Sequence, residues 1–196
     1  MPLQTIVLIT LGAMLVFWAV GAYNRLVRLK NIIANAFGQI EVHLNRRHDL
    51  VANLVETAQK YLPPEREQET LEAVMAARNQ ARSASDAVRS GPGKEDAVMA
   101  LAAAEQALDN CLGRLFAMAQ TYPKLKADPS IQGFSEELTS TEIKLGFARQ
   151  AYNDAVLDSN NAQGQFPALL IARMCGFTPS ALLPATQSFV EHTGLV

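Results

Sequence analysis

The sequence predicts an all-α protein, in which an N-terminal transmembrane helix continues into an antiparallel up-down-up-down four-helix bundle. Three observations lead to this prediction. Residues 1–24 carry no charged side chain. Apolar residues in the rest of the chain recur at steps of three and four, which is the spacing of helices packed nearly antiparallel, as in a coiled coil. Prolines and glycines divide the chain into long stretches, none of which shows the period-two alternation of a strand.

The first element is an uncharged run whose core, Leu3 to Tyr23, is rich in Leu, Val, Ile, Phe and Trp. About twenty residues of helix span roughly 30 Å, the thickness of the hydrocarbon core of a bilayer. A cleaved signal peptide is the alternative, with Gly21-Ala22 as its cleavage site, but the basic segment that should precede its apolar stretch is missing. We therefore expect residues 1–24 to be an uncleaved anchor in contact with membrane lipid.

Three basic residues, Arg25, Arg28 and Lys30, follow the run, and none precedes it. The positive-inside rule then predicts an N-terminus outside the cell and a main domain in the cytoplasm. The same side chains could bind anionic headgroups, at roughly 1 kcal/mol each. The simpler interpretation is that they only set the topology.

Residues 25–165 are predicted to form the bundle, because proline or glycine marks each boundary of four helical segments. The segments run from the membrane to Tyr61, from Pro64 to Ser90, from about Lys94 to Tyr122, and from Pro129 to roughly Asn160. Short connections make sequential helices antiparallel neighbours.

One position breaks the apolar stripe of the first segment. Between Leu44 and Val51 the inward place belongs to Arg47. A buried guanidinium without a partner costs several kcal/mol, so an acid from another helix should meet it. The alternative is that Arg47 lies along the edge of the bundle with its head in water.

Arg47 belongs to a polar group that also contains Arg46, Asp49 and Asn53. These four residues, within two turns, form the candidate interaction cluster of the sequence. The competing interpretation is a solvated helix face with local pairs, such as Arg46 with Asp49.

The last segment, residues 166–196, contains an apolar stretch from Phe166 to Phe177 that is too short to span a bilayer. An even number of helical passes returns the fourth helix toward the membrane. We therefore expect this segment to pack at the membrane-proximal end of the bundle.

The sequence contains no recognisable catalytic or metal site. Cys111 and Cys175 are isolated thiols without a CxxC spacing. His43 and His48 are five residues apart, about 140° on a helix, so they cannot share a metal and are expected at the surface or flank. Residues 91–94 lack the spacing of a phosphate loop. With 17 basic and 19 acidic residues, the chain has no nucleic-acid footprint. We predict no enzymatic activity, no cofactor and no metal.

Motifs along nearly the whole chain resemble those of the LemA family of bacterial membrane proteins. They include YN-x-LV after an apolar leader and I-x-V-x-L-x-RR-x-DL-x-x-NLV. In this sequence the motifs are found at Tyr23–Val27, Ile40–Val55, Glu69–Glu72, Tyr122–Ala127, Arg149–Val156, Phe166-Pro167 and Gly176-Phe177. The resemblance implies a four-helix bundle on a single anchor in the bacterial inner membrane. It implies no reaction, because the family has no established one.

Two departures from the family pattern affect these expectations. The usual proline of the NLV motif is Ala52 here, so any kink it causes should be absent or weaker. Some relatives carry a lipoprotein cysteine just before the YN motif, and these place the bundle outside the cytoplasm. This chain has Gly21-Ala22 before Tyr23, which excludes lipidation there but leaves the side of the membrane open.

Three functions remain open. The leading one is a membrane-anchored scaffold or interaction module that binds an unknown protein partner or a second copy of itself. The second is a sensor or signalling accessory protein that transmits change along the first helix. The third is an enzyme with unrecognised chemistry. An exposed apolar stripe would favour the scaffold, and a concave pocket with perturbed acids would favour the enzyme.

Overall fold

The computed structural model describes residues 3–185, and of residues 64–66 it describes the backbone alone. This part of the chain contains six helices and no β-strand, which confirms the all-α class. The helices are α1 (Leu3–Gln59), α2 (Pro64–Ser90), α3 (Glu95–Ala119), α4 (Pro123–Lys126), α5 (Pro129–Gly164) and α6 (Ala168–Met174).

Helix α1 is continuous over 57 residues, roughly 85 Å at 1.5 Å per residue, and it passes Ala52 without a break. Its large apolar side chains from Leu3 to Val20 are exposed. Within residues 3–185, α1 is the one helix long and apolar enough to cross a membrane, which is consistent with membrane anchoring.

The helix boundaries follow the punctuation of the sequence closely. Proline occupies the first turn of α2 and of α5, where a missing N–H costs nothing. The Asp128 side chain caps α5 by accepting a hydrogen bond of 2.7 Å from the Ser130 amide. The structure differs from the prediction in the connection between α3 and α5. There Pro123 begins the short helix α4, where the sequence predicted only the end of a helix.

Helix α1 packs against α2 and α5, and α2 packs against α3. Along the contact between α1 and α5, residue numbers run in opposite order. The rings of Phe37 and Tyr152 lie 6.2 Å apart, and just past the end of α1 the Tyr61 hydroxyl donates to Asp128, the cap of α5, at 2.5 Å.

The apolar core is divided in two. The cluster nearer the apolar run contains Ile40, Leu101 and Leu145, and the one beyond it contains Leu50, Leu108 and Leu138. Buried polar side chains of α1, α3 and α5 lie where the two clusters meet. A small third cluster joins Leu26, Ala162 and Ala172.

After α6 the chain runs back along α5, held by two asparagines. Asn160 exchanges two hydrogen bonds with the Ser180 backbone, at 2.8 and 2.9 Å. Asn153 does the same with the Leu183 backbone, at 3.0 and 2.8 Å. These hydrogen bonds provide partners for the backbone N–H and C=O groups of Ser180 and Leu183, which belong to no helix or strand.

The segment that follows α6 begins beside the apolar run. Phe177 makes an edge-to-face contact with Tyr23, with ring centroids 5.8 Å apart. Phe177 therefore lies at the end of the helices opposite to Pro63. Residues 186–196 of the predicted membrane-proximal segment lie outside the described residues.

Candidate functional site

The polar residues between the two core clusters form a charged layer, which consists of Arg47, His48, Glu105, Asp109 and Glu142. α1 contributes the first two, α3 the next two and α5 the last. Arg47, His48, Glu105 and Asp109 are buried, and the Glu142 side chain is almost so. Charged side chains are rarely this buried unless they are paired.

Arg47 is the centre of the charged layer and is fully buried. Its Nη1 donates to Glu105 Oε2 at 2.7 Å, and its Nη2 pairs with Asp109 Oδ1. Glu142 Oε2 lies 3.8 Å from Nη1. The predicted acid from another helix is therefore confirmed, and one guanidinium joins α1 to both α3 and α5.

His48 corrects the sequence prediction, which expected it at the surface or flank. It is buried, and its Nε2 lies 3.0 Å from Glu105 Oε1. The reason is that α1 is covered by several helices, so its buried arc is wider than a two-helix seam and includes adjacent residues. His43, by comparison, is partly exposed.

The electrostatics of the layer reflect more acids than permanent cations. Burial raises the pKa of the Asp109 carboxyl to about 6; Arg47 opposes this rise, and Glu142 and Glu105 add to it. Burial lowers the pKa of Arg47, but the charges of Asp109, Glu105 and Glu142 outweigh burial and raise it. Asp109 can therefore exchange a proton near neutral pH, while Arg47 stays charged.

The layer is also incompletely hydrogen-bonded. Within residues 3–185, His48 Nδ1 and Asp109 Oδ2 are buried and have no hydrogen-bond partner. An unpaired buried polar atom costs about 1–3 kcal/mol. The layer therefore pairs Arg47 with its acids but leaves part of its own hydrogen-bonding capacity unmet.

The structure disperses the other members of the predicted cluster. Arg46 is exposed and its Nε donates to Glu137 on α5 at 2.8 Å. Asp49 is exposed and lies 3.8 Å from Arg78 Nη2 on α2, so it does not form the local pair with Arg46. Asn53 is exposed farther along α1. Only Arg47 of the four enters the core.

Helix α2 reaches the layer through its backbone. Arg78 Nε donates to the His48 carbonyl oxygen at 2.7 Å. This bond ties α2 to the same turn of α1 that holds α3 and α5 through Arg47.

Sequence reasoning missed Glu105, Asp109 and Glu142. The signal was present on α3, where Glu105 and Asp109 are four residues apart and each follows a member of the apolar stripe, Ala104 and Leu108. Acids at that spacing share a helix face. Glu142 likewise follows Thr141, which is buried.

A second feature lies on the outer face of α5. Ile143 is 58% exposed and Phe147, one turn later, is 70% exposed. Both lie opposite the buried residues of the same helix, such as Leu145 and Ala148. A large aromatic and a branched aliphatic side chain adjoining in water are typical of a contact surface.

A cleft of about 670 Å³ lies away from the charged layer. It is lined by residues 90–97, which include the loop between α2 and α3, and by Lys30, Ser159, Gln163 and residues 177–180. Of the three predicted juxtamembrane basic residues, Lys30 borders this cleft, while Arg25 and Arg28 are exposed on α1. Within residues 3–185, no three His, Cys, Asp or Glu side chains are arranged to hold a metal ion.

Comparison with known proteins places the chain at family level. No curated protein matches its sequence. The model of the LemA family matches residues 36–193, which include every residue of the charged layer and of the α5 face. Because this match covers most of the 196 residues, the chain belongs to the LemA family.

Proposed function

We propose that this chain is a non-enzymatic, membrane-anchored helical-bundle protein that acts as a scaffold or interaction module at the bacterial inner membrane. Its partners are membrane lipid, through the N-terminal helix, and a protein or a second copy of the chain, through the outer face of α5. The proposal has four supports, concerning the anchor, the architecture, the exposed face and the position of the titratable groups.

The anchor is supported by the first part of α1. Apolar side chains are exposed from Leu3 to Val20, and the three basic residues that follow, Arg25, Arg28 and Lys30, are exposed as well. Their position favours an N-terminus outside and the helices after α1's apolar part in the cytoplasm.

The proposed architecture is an antiparallel up-down-up-down bundle of α1, α2, α3 and α5. The opposite residue order along the α1–α5 contact supports it, and so does the pair of Arg89 with Glu41 near the end of α2. The short connection between α2 and α3 favours antiparallel neighbours there too.

The observation that carries the scaffold proposal is the exposed pair of Ile143 and Phe147 on α5. Aromatic residues are enriched at interfaces, and an exposed aromatic side chain next to an exposed aliphatic one is a typical anchor for a partner. Ser140, Gln150 and Ala151 are exposed neighbours of the pair.

The position of the titratable groups favours a binding protein over an enzyme. Asp109 has a strongly raised pKa, but it is buried in the charged layer and does not line the 670 Å³ cleft. A catalytic acid must reach its substrate. In this protein the perturbed acid and the cleft are in different places.

A photo-crosslinking amino acid at position 147, in intact membranes, tests the scaffold. We expect crosslinks to one defined protein or to a second copy, and we expect Ile143→Asp to abolish them. The matched control is the same crosslinker at Arg114, an exposed residue of α3. Equal crosslinking from positions 147 and 114, unaffected by Ile143→Asp, would contradict the proposal.

A second candidate function, a sensor or signalling accessory protein, is favoured by the charged layer. α1 runs unbroken from the apolar run to Arg47, and one guanidinium there joins three helices. A change at the layer could therefore pass along one rigid element. This candidate function couples the charged layer to the membrane end of α1, and such coupling requires α1 to have two states.

Hydrogen exchange of residues 46–53, in membranes at pH 5 and pH 7.5, tests this candidate. Exchange is expressed as protection relative to the intrinsic rate at each pH, because amide exchange itself accelerates with pH. The sensor predicts lower protection at one pH in the wild type and equal protection at both in Asp109→Asn. Equal protection at the two pH values in the wild type would exclude a response centred on Asp109.

A further inference from the structure

The short helix α6 presents an apolar face to solvent. Phe166, just before the helix, is 81% exposed, and Leu170 and Met174 within it are 52% and 83% exposed. Leu170 and Met174 are four residues apart, which places them on one side of α6, and Phe166 precedes the helix. The opposite side packs inward through Ala172, which is buried.

The position of α6 indicates what covers this face. Ala172 contacts Leu26 and Ala162, so the inner side of α6 meets the first packed turn of α1 beyond the apolar run. Directly after α6, Phe177 contacts Tyr23, the last aromatic residue of that run. α6 therefore lies beside the end of the stretch of α1 whose apolar side chains are exposed.

Basic residues surround the same location. Arg173 of α6 is exposed, as are Arg25 and Arg28 on α1. Apolar side chains with a basic border are typical of helices that lie in a membrane interface, where they contact acyl chains and anionic headgroups together. A site for a protein partner would have no reason to lie beside the apolar run of α1.

We propose that α6 is an interfacial helix that inserts Phe166, Leu170 and Met174 into the boundary between headgroups and acyl chains of the bilayer that α1 crosses. This inference rests on the anchor of the proposed function and adds a second lipid contact to it. The helical body is then held at two points, so its orientation relative to the membrane is fixed, where a single helix would let it rotate.

Tryptophan quenching by brominated lipid tests this inference on the full chain. The chain has one tryptophan, Trp18, within the apolar run. In liposomes of phosphatidylglycerol and brominated phosphatidylcholine, quenching of Trp18 in the wild type reports on the anchor alone. The double variant Trp18→Phe with Leu170→Trp moves the reporter to α6.

The matched control carries Trp18→Phe with Arg114→Trp, at an exposed site on α3. The neighbouring Leu115 belongs to the apolar cluster whose α1 members begin at Leu50, 27 residues along α1 from Tyr23, so the control site is roughly 40 Å from the end of the apolar run. We expect quenching at position 170 to exceed that at position 114 by roughly threefold or more, with a blue-shifted emission.

The outcomes separate the inference from the proposed function. Quenching of Trp18 without quenching at position 170 overturns the interfacial helix and leaves the anchor intact. A blue-shifted but unquenched reporter at 170 also overturns it and indicates that protein, such as a second copy, covers α6. Absence of quenching at Trp18 overturns the anchor and the inference together. If circular dichroism shows that Leu170→Trp does not fold, Met174→Trp takes its place.

Discussion

The charged layer and the ion pairs on the surface of α1 use the same chemistry in two environments. Arg46 and Arg47 are consecutive, and both pair with carboxylates of other helices. Yet half of the Arg46 side chain is in water, while Arg47 is fully buried between two apolar clusters. The two residues differ by about 100° around the helix axis. This rotation puts the Arg46 pair in contact with solvent, whereas the charges of the Arg47 pair are compensated by protein groups alone.

The difference teaches that position decides what such a pair contributes. Removing one partner of a buried pair leaves an uncompensated charge, which is strongly destabilising, although the intact pair often adds little stability over apolar packing. A surface pair can lose a partner to water at small cost. We infer that the charged layer specifies how α1, α3 and α5 align more than it raises stability.

Arg47→Ala is the largest expected test of this comparison. It leaves Glu105, Asp109 and Glu142 together without their permanent cation, so the free energy of unfolding should fall by about 3–5 kcal/mol. Urea unfolding of the full chain in detergent micelles, followed by circular dichroism, measures it. A loss below about 1 kcal/mol would mean that the layer is open to water and the comparison is wrong.

Asp109→Asn sharpens the comparison through pH. The pKa of Asp109 is 3.8 in its ordinary state and about 6 in the folded protein. The folded state thus binds the proton more tightly, so Asp109 adds stability below about pH 4 that is lost as pH rises through 6. Over that range the variant should gain up to about 3 kcal/mol relative to the wild type.

The pH experiment compares urea unfolding of the two proteins at pH 4, 5, 6 and 7.5. The charges that act on Asp109 are those of Arg47, Glu142 and Glu105, and all three residues are present in both proteins. Asp154→Asn, an exposed site on α5, is the control and should give a flat difference. A flat difference for Asp109→Asn as well would show that its carboxyl is not perturbed.

The sequence predicted the charged layer only in part, for a physical reason. Periodicity along α1 identifies Arg47 as inward, because one helix determines its own face. Its partners lie 58 and 62 residues away, and which acids meet it depends on the relative rotation of two helices. The sequence prediction placed His48 at the surface or flank because contact between two helices buries only a narrow stripe of each. Helix α1 is covered by several helices and therefore buries the adjacent residues Arg47 and His48 together.

The same limit applies to the exposed features. Ile143, Phe147, Leu170 and Met174 are apolar, so composition alone gives no reason to place them outside the core. The helix boundaries were predictable because proline and an Asp cap act within a few residues. The long-range hydrogen bonds from Asn153 to Leu183 and from Asn160 to Ser180 had no local signal.

Asn153→Ala should have an effect between those of the buried and the exposed ion pairs. Asn153 is uncharged, and its side chain bonds to the backbone of another segment. It removes two hydrogen bonds to Leu183, each worth about 1 kcal/mol, so the free energy of unfolding should fall by about 2 kcal/mol. The loss should be equal at pH 5 and pH 7.5, unlike that of the charged layer. Asn161→Ala, at an exposed neighbour, is the control, and an equal effect there would refute a specific role for Asn153.

Arg46→Ala is the smallest expected effect and the direct counterpart of Arg47→Ala. The Arg46 guanidinium contacts one carboxylate, Glu137, and both side chains are substantially exposed, so the loss should stay below about 1 kcal/mol. Added salt screens exposed charges, so the difference from the wild type should shrink toward zero as sodium chloride is raised, while that of Arg47→Ala should persist. Unfolding of both variants at low and high salt measures this. A salt-insensitive loss at Arg46 comparable to that at Arg47 would show that exposure does not separate the two pairs, and that the α1–α5 contact depends on its outer edge as much as on its buried layer.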